Sequence, residues 1–330
     1  MLPPMTPNKT TPRAIEVKGL HKSYGDVRAV RGIDLHVDVG EVFALLGPNG
    51  AGKTTAVEIL EGYRKRDGGE VQVLGTDPGA NERSLKERIG IVLQETSVDH
   101  FFTVREVVEL YGGYYPNPLP VDDVIELVGL TEKSDERIRR LSGGQQRRLD
   151  VALGLAGDPE LLFLDEPTTG FDPSARRNAW DMIKNLQSLG KTILLTTHYM
   201  DEAQMLADRV AVIARGEIVA EGPPDALGGR DVAGTTISFV LPPGSASPPP
   251  PIAGHFQILG NSWRAETSEA LNVLHELSGW ALSNDVELRS LQVSQPTLED
   301  VYLALTGSED GASEPQEEPQ RGSRRRSRRR

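Results

Sequence analysis

Short, mainly apolar runs recur along the chain, and segments of helical composition separate most of them. Runs of this length predict strands, and a fully apolar run predicts a strand that is buried on both faces. The strands predicted in this way cover residues 42–46, 71–74, 89–93, 161–164 and 192–197. Parallel strands that alternate with helices indicate an α/β fold.

Other segments of the first two thirds depart from this pattern. Residues 33–39 alternate between apolar and polar, as a half-buried antiparallel strand does, and a further strand begins at Ile15 before the chain turns away at residues 19–25. Residues 95–140 predict a helical insert. Its predicted helices cover residues 104–111, 121–128 and 132–140. Residues 210–213 and 217–220 then predict a closing hairpin.

The last third predicts a separate, small α+β accessory domain over residues 229–306. A strand is predicted at 236–240, a Pro/Ser/Gly linker at 242–251, a hairpin over 255–267 that turns at Gly260, a strand at 288–293 and a last helix at 297–305. A stripe of Leu271, Leu274, Leu277 and Leu282 predicts the helix between the hairpin and that last strand. The sequence therefore predicts a first domain over residues 14–228 and the accessory domain over 229–306. A disordered N-terminus (1–13) precedes them, and a disordered tail (307–330) follows them. A dimer-stabilising role for the accessory domain is favoured over ligand sensing.

The length of 330 residues predicts two domains, since one ordinary domain needs fewer. The composition is typical of a globular protein, with 25% charged and 38% hydrophobic residues. The formal net charge of -12 disfavours general binding to nucleic acid. The sequence has no cysteine, which excludes disulfides and thiol chemistry. No apolar run approaches the ~20 residues that span a bilayer, so we expect the chain to be soluble by itself.

A glycine-rich loop joins the strand predicted at 42–46 to a helical segment that ends near Glu61. The loop fits the pattern G-x-x-x-x-G-K-[ST], which binds nucleotide phosphates when it lies between a strand and a helix. Glycine lets the backbone approach a phosphate closely, and the helix N-terminus attracts the anion. The predicted binding residues are Gly47, Pro48, Asn49, Gly50, Ala51, Gly52, Lys53, Thr54 and Thr55. We expect Lys53 to reach the outer phosphates and the Thr54 hydroxyl to bind Mg²⁺.

Polar side chains follow three of the predicted strands. Asp165 and Glu166 end the strand at 161–164, at the sheet edge where α/β proteins bind ligands. We expect Asp165 to hold Mg²⁺, directly or through water, and Glu166 to face an attacking water. Gln94 could bind Mg²⁺ or water through its amide, and His198 could donate to a γ-phosphate. Each of these last two, taken alone, is better explained as an ordinary polar or structural residue.

A second glycine-rich helix start has the sequence Leu-Ser-Gly-Gly-Gln. Ser142 and Gln145 have the spacing of a capping box for a helix that runs to about Ala156. Ser142, Gly143 and Gly144 would then present N–H groups to a second phosphate-binding surface. An ordinary capped helix would be the favoured explanation if the segment stood alone.

The order of these motifs resembles that of the ATP-binding subunits of ABC transporters, over about residues 14–228. The most specific element is Leu-Ser-Gly-Gly-Gln shortly before an apolar strand that ends in Asp-Glu. The matching positions are Tyr24 in an adenine-stacking loop, 47–55 in Walker A, Gln94 in the Q-loop, 141–145 in the signature, 161–166 in Walker B, Asp172 in the D-loop and His198 as the switch histidine. The resemblance implies a P-loop NTPase domain of the ABC ATPase type, with an antiparallel β subdomain and a helical insert.

The resemblance also implies that the chain is an ATPase with ATP and Mg²⁺ at its site. The residues implied in catalysis are Glu166, His198, Lys53 and Gln94. Thr54, Gln94 and Asp165 would hold the metal, and the nucleotide site would be completed by Tyr24, Ser142, Gly143, Gly144, Gln145 and Asp172. In this family two ATP-binding domains dimerise head to tail, so each ATP lies between the Walker motifs of one subunit and the signature of the other. A homodimer is expected.

Segments 168–173, 196–203 and 296–307 are similar to those of ABC-2 exporters, including the daunorubicin-resistance subfamily. Phe171 stands where that family usually has leucine. This likeness implies export of a hydrophobic drug, antibiotic or lipid-like compound through separate ABC-2 permease subunits. The ATPase would then be bound peripherally at the cytoplasmic face of the cell membrane.

Two alternatives belong to other classes of protein. A soluble ABC ATPase acting on nucleic acid is disfavoured for two reasons. Relatives that act in DNA repair carry long coiled coils between Walker A and the signature, but residues 54–140 show no heptads. ABC translation factors carry two ATPase units, and this chain has one. A regulator that senses nucleotide with little turnover is disfavoured because Glu166 and His198 are both present.

Two surfaces are candidates for contact with a membrane. Residues 95–115 are the predicted docking surface for the permease; their aromatic members are Phe101, Phe102, Tyr111 and Tyr114. The tail carries five acids in 309–318 and seven arginines in 321–330. A solvated end that neutralises itself is favoured over contact with anionic lipid head groups.

Overall fold

The computed structural model describes residues 12–80, 82–92, 98–227, 235–242, 245, 248, 250–260, 262–294 and 302. The strands are β1 (Arg13–Tyr24), β2 (Val27–Asp38), β3 (Val42–Leu46), β4 (Gly68–Val73), β5 (Ile89–Val92), β6 (Leu161–Asp165), β7 (Thr192–Thr197), β8 (Arg209–Ala214), β9 (Glu217–Gly222), β10 (Thr235–Val240), β11 (Gln257–Leu259), β12 (Ser262–Thr267) and β13 (Arg289–Ser294). The α-helices are α1 (Lys53–Leu60), α2 (Arg83–Lys86), α3 (Val104–Gly112), α4 (Val121–Leu127), α5 (Gly143–Leu155), α6 (Pro173–Ser188), α7 (Met200–Leu206), α8 (Pro250–Ala253) and α9 (Ala270–Ser283).

A six-stranded sheet in the order β5-β6-β7-β3-β8-β9 forms the centre of the first domain. Its first five strands are parallel, and β9 closes the edge as the antiparallel partner of β8. Every residue of β3 and β7 is buried. The structure confirms the buried strands and the hairpin that the apolar pattern predicts here.

A three-stranded antiparallel sheet in the order β2-β1-β4 packs over one face of the central sheet. Apolar residues of both sheets, such as Ile15 and Phe43, share one core. The turn predicted at residues 19–25 is wrong, because β1 continues to Tyr24. Gly19 takes a left-handed φ of 57° at a register shift between Val17 and Leu20, so the strand bulges and continues.

Helices α3 and α4 of the helical insert pack, together with α5, against the other face of the central sheet. Helix α3 begins at a capping box formed by Thr103 and Glu106. The helix predicted at 132–140 is wrong, since only short 3-10 turns form, at Thr131–Lys133 and Ile138–Arg140. The backbone there pairs with the loop before α3 instead, as in the bond from the Ile138 N–H to the Phe102 carbonyl (3.0 Å).

The last third contains a four-stranded antiparallel sheet in the order β11-β12-β10-β13, with α8 and α9 packed on it. The predicted leucine stripe of α9 is confirmed at two of its four positions. Leu277 is buried between α9 and this sheet, and Leu274 packs against the same core. The prediction is wrong for Leu271 and Leu282, which are 83% and 84% exposed. Val273 and Ala281 are buried in their place.

Beyond Ser294 the structure describes Tyr302, which is buried in the core between the central sheet and the helical insert. The remainder of the helix predicted at 297–305 lies outside the described residues, as do residues 1–11 of the predicted disordered N-terminus (1–13) and the predicted tail (307–330). The predicted end of that N-terminus is wrong, because Arg13 is the first residue of β1. None of the described helices is both long enough and apolar enough to cross a membrane.

Candidate active site

The loop between β3 and α1 requires glycine at both of its ends. A Cβ on Gly47 would lie 2.3 Å from the Ile213 carbonyl oxygen, and one on Gly52 would lie 2.3 Å from the Ala29 carbonyl oxygen. Gly52 also has a φ of 108°, which side chains rarely allow. The structure therefore confirms the strand–loop–helix context in which such a loop binds phosphate.

Lys53 is buried at the first position of α1, and its side chain folds back into the loop. The Nζ donates to the carbonyl oxygens of Gly47 (2.7 Å) and Pro48 (3.2 Å). Burial lowers the pKa of Lys53, and the nearby carboxylates of Glu166 and Asp165 oppose that shift. The cation is thus held where phosphate oxygens would approach the loop.

Glu166 and His198 meet Lys53 at the carboxyl ends of neighbouring strands. The Glu166 Oε1 lies 3.1 Å from His198 Nδ1 and 3.8 Å from Lys53 Nζ. Its Oε2 accepts a hydrogen bond from the Thr169 hydroxyl (3.1 Å). These side chains come together because β6, β7 and β3 are adjacent and parallel, so their carboxyl ends share one edge of the sheet.

Asp165 and Thr54 are the described residues that the sequence predicts as Mg²⁺ ligands. The Asp165 carboxylate accepts a hydrogen bond from the Thr196 hydroxyl, and Thr54 is exposed in the first turn of α1. Among the described residues there is no cluster of three or more His, Cys, Asp or Glu able to hold a metal. A carboxylate and a hydroxyl are oxygen ligands of the kind that Mg²⁺ takes, with waters and substrate phosphates as its other ligands.

The second glycine-rich segment forms the start of α5, and its capping box is as predicted. Ser142 N–H donates to Gln145 Oε1 (2.9 Å), and Gln145 N–H donates to Ser142 Oγ (3.3 Å). Ser142, Gly143 and Gly144 line a groove of about 920 Å³, together with Glu166. The loop that holds Lys53 does not line this groove.

The remaining predicted residues have separate surroundings. Asp172 also lines the groove and caps α6, since its carboxylate accepts from the N–H groups of Ser174 and Ala175, both at 2.9 Å. Tyr24 ends β1 with a partly exposed ring, and the charged groups of Lys22 and Arg64 lie 5.4 and 5.3 Å from its centre. Gln94 lies outside the described residues.

Sequence reasoning missed several polar side chains that hold the site together. Arg147 reaches the backbone beside Glu166, and Glu202 accepts hydrogen bonds from the Thr168 hydroxyl (2.8 Å) and the Trp180 indole N–H (3.3 Å). Burial raises the pKa of Glu202. Charged residues on the apolar face of a helix were the available signal, because Arg147 shares its face with Val151 at helical spacing.

A smaller cavity of about 370 Å³ opens between α1, α3 and α5. It is lined by Glu61, Tyr63, Lys86, Tyr111, Tyr115 and Asp150, among others. Burial, with lesser contributions from Asp165 and Glu58, raises the pKa of Glu61 to about 8. Among the predicted docking residues, Tyr111 lines this cavity, whereas Phe101 and Tyr114 are 68% and 67% exposed.

Comparison with known families gives two matches along the chain. The family model described as "ABC transporter" matches residues 30–169. A second family model matches residues 235–297. Its description is "ABC transporter domain-containing protein-like, C-terminal domain".

Individual relatives match over nearly the whole chain. The Nod factor export ATP-binding protein I of Rhizobium meliloti (strain 1021) is 40% identical over 303 residues, covering 90% of this chain and 89% of that protein. The daunorubicin resistance ATP-binding protein DrrA3 of Streptomyces coeruleorubidus is 36% identical over 313 residues, covering 91% and 98%.

Solved structures match about two thirds of the chain. CbiO1 from Clostridium perfringens, part of the ABC transporter complex cbiONQ, superposes with a TM-score of 0.59 at 30% identity, covering 65% of this chain and 90% of that one. A dimeric ATP-binding cassette in a post-hydrolysis state, bound to ADP and Pi, gives a TM-score of 0.57 at 25% identity, covering 63% and 98%.

Proposed function

This chain belongs to the ATP-binding subunits of ABC transporters and is an ATPase, and from that premise we propose that it powers export through separate ABC-2 type membrane subunits. The contact that carries the catalytic part of the proposal is Glu166 Oε1 between His198 Nδ1 (3.1 Å) and Lys53 Nζ (3.8 Å). It joins a carboxylate, a cation and an imidazole beside a loop shaped for phosphate.

Phosphoryl transfer depends mainly on positioning and on neutralising charge. Lys53 binds the outer phosphates, and Thr54 and Asp165 are the residues that would hold Mg²⁺. The metal, when bound, would neutralise phosphate charge. Glu166 orients and polarises the attacking water, while His198 donates to the γ-phosphate.

We propose that the complete site is shared between two copies of this chain. The start of α5 opens into the groove that Glu166 and Asp172 also line, and Lys53 lies outside it. A second subunit can therefore bring its own nucleotide to this groove without displacing the loop. The dimeric relative bound to ADP and Pi supports this arrangement.

The membrane partner and the cargo are proposed from the relatives and from the surface. The relatives are named for Nod factor export and for daunorubicin resistance, so the cargo class is a hydrophobic drug, antibiotic or lipid-like compound. The proposed docking surface extends from Phe101 and Phe102 to the cavity that Tyr111 lines, at the cytoplasmic face of the cell membrane.

The test of the proposed function compares the full chain with Lys53→Ala and Glu166→Gln. Phosphate release from Mg-ATP is measured beside gel filtration with and without Mg-ATP. We expect Lys53→Ala to weaken both ATP binding and turnover. Glu166→Gln keeps its size and loses its charge, so ATP should still bind while the rate falls by ~10²–10⁴.

ATP binds the closed dimer preferentially, so blocked hydrolysis should trap that dimer by mass action. Turnover near the wild-type rate in Glu166→Gln would remove that residue from catalysis. A slow Glu166→Gln that stays monomeric with Mg-ATP would contradict a site shared between two copies of this chain.

A further inference from the structure

Arg147 lies one turn inside α5, and its guanidinium points into the first domain rather than into solvent. The residue is 8% exposed. Its Nη2 donates to the Asp165 carbonyl (2.7 Å), and its Nε donates to the Pro167 carbonyl (3.3 Å). These two carbonyls lie on either side of Glu166 in the chain.

Glu166 has a strained backbone at this point. Its φ is 44°, in the left-handed region that favours glycine. Such a conformation persists only where the surrounding structure holds it in place. The Glu166 N–H donates to the Thr196 hydroxyl (3.1 Å), and Arg147 fixes the carbonyls before and after it.

We infer that Arg147 is a positioning residue that holds the Glu166 backbone in its strained conformation and ties it to the start of α5. This inference rests on the proposed function, because it assigns Glu166 to the attacking water. Arg147 acts through the backbone of the loop that carries Glu166, by its bonds to the Asp165 and Pro167 carbonyls.

The chemistry of arginine suits this task. Burial lowers the pKa of Arg147, and the carboxylates of Asp150, Asp165 and Glu202 oppose that shift. The planar guanidinium presents several N–H donors in a fixed fork, so it can serve two carbonyls at once. Lysine carries a single ammonium group and cannot reproduce that fixed geometry.

Helix α5 also connects this contact to the partner's nucleotide in the proposed dimer. Arg147 lies four residues after Gly143, or about 6 Å along the helix axis. The helix start proposed to face the partner's nucleotide is therefore within about one helical turn of the guanidinium that holds Glu166.

The experiment compares Arg147→Met and Arg147→Lys with Arg88→Met in the full chain. Arg88 is the matched control, because its replacement removes the same charge and a guanidinium bond to a backbone carbonyl, that of Leu74 (3.0 Å), outside the groove at the start of α5. The measurements are kcat and KM for Mg-ATP, the Kd for ATP, and the melting temperature.

We expect Arg147→Met to lower kcat by roughly 10- to 100-fold, as a misplaced catalytic group does. Its Kd for ATP should stay within about twofold of the wild-type value, because the phosphate loop is untouched. Arg147→Lys should recover part of the rate, and Arg88→Met should stay near wild type.

A folded Arg147→Met with wild-type kcat would overturn the inference. If that variant does not fold, an Arg147→Lys with wild-type kcat would assign the residue to folding alone and overturn it equally. An inactive wild-type chain would instead contradict the proposed function, and the inference with it.

Discussion

Three acidic side chains of the first domain differ in how the fold surrounds them. Glu166 is partly buried beside Lys53 and His198, whereas Glu202 and Glu61 are buried away from that contact. One carboxylate oxygen of Glu202 accepts hydrogen bonds from the Thr168 hydroxyl and the Trp180 indole N–H. Glu61 lines the smaller cavity, where removal from water favours its neutral form.

Glu61 should make the stability of the chain depend on pH. Burial raises its pKa from 4.5 to about 8, so between these values the folded chain holds a proton that the unfolded chain releases. The free energy of unfolding therefore falls as pH rises from about 4.5 to about 8, by at most ~1.4 kcal/mol per pH unit. Glu61→Gln, which stays neutral, should be more stable than wild type at pH 9.

Chemical unfolding of both chains at pH 5 and pH 9 measures this difference. Glu126→Gln, which changes an exposed carboxylate on α4, is the control and should follow the wild-type profile. If Glu61→Gln loses stability between pH 5 and pH 9 as steeply as wild type, the carboxyl of Glu61 is not the group responsible.

At the scale of single elements, α3 has a well-defined start, and the loop before it carries exposed aromatic side chains. The capping box of Thr103 and Glu106 fixes the start of the helix, and the Arg139 guanidinium lies 5.7 Å from the Phe101 ring centre. Exposed aromatic side chains on an ordered element are typical of binding surfaces. This is the geometry that supports docking of a membrane partner here.

Phe101→Ala combined with Phe102→Ala should weaken that docking. Co-expressed with its cognate permease, the wild-type chain should pellet with membranes, and the double variant should pellet less and support less transport. The matched control is Leu271→Ala with Leu282→Ala, which removes two exposed apolar side chains from the C-terminal domain. Equal pelleting and transport by the wild type and the Phe101/Phe102 variant would show that the partner docks elsewhere.

For the molecule as a whole, charge is distributed very unevenly along the chain. The formal net charge is -12, yet the last ten residues carry seven arginines and no acid. An arginine near an anionic lipid surface contributes about 1 kcal/mol to binding. Against this, the acidic stretch before it can neutralise the same charges, which remains the favoured explanation.

Deletion of residues 321–330 separates these two explanations. If the arginines contact lipid, the deletion should reduce binding to anionic vesicles, most clearly at low salt where screening is weak. Sedimentation of the full and shortened chains with such vesicles, at low and high salt, gives the comparison. Equal binding at low salt would leave self-neutralisation as the role of the tail.

Local sequence determined the parts of this protein whose signals lie within a few residues. Apolar runs located the strands of the central sheet, because strands buried on both faces have no polar positions. The spacing of Ser142 and Gln145 located the start of α5, since a capping box is a contact within one helical turn. The order of motifs identified the family, which the relatives confirm; the roles assigned to single residues stay predictions.

The tertiary structure decided what depends on residues distant in sequence. Residues 132–140 have helical composition, but their backbone pairs with the loop before α3. Gly19 suggested a turn, but pairing with β2 and β4 carries β1 past it. The contact of Arg147 with the backbone around Glu166 joins positions 18 and 20 residues apart. No local pattern encodes such contacts, because packing against the rest of the chain selects them.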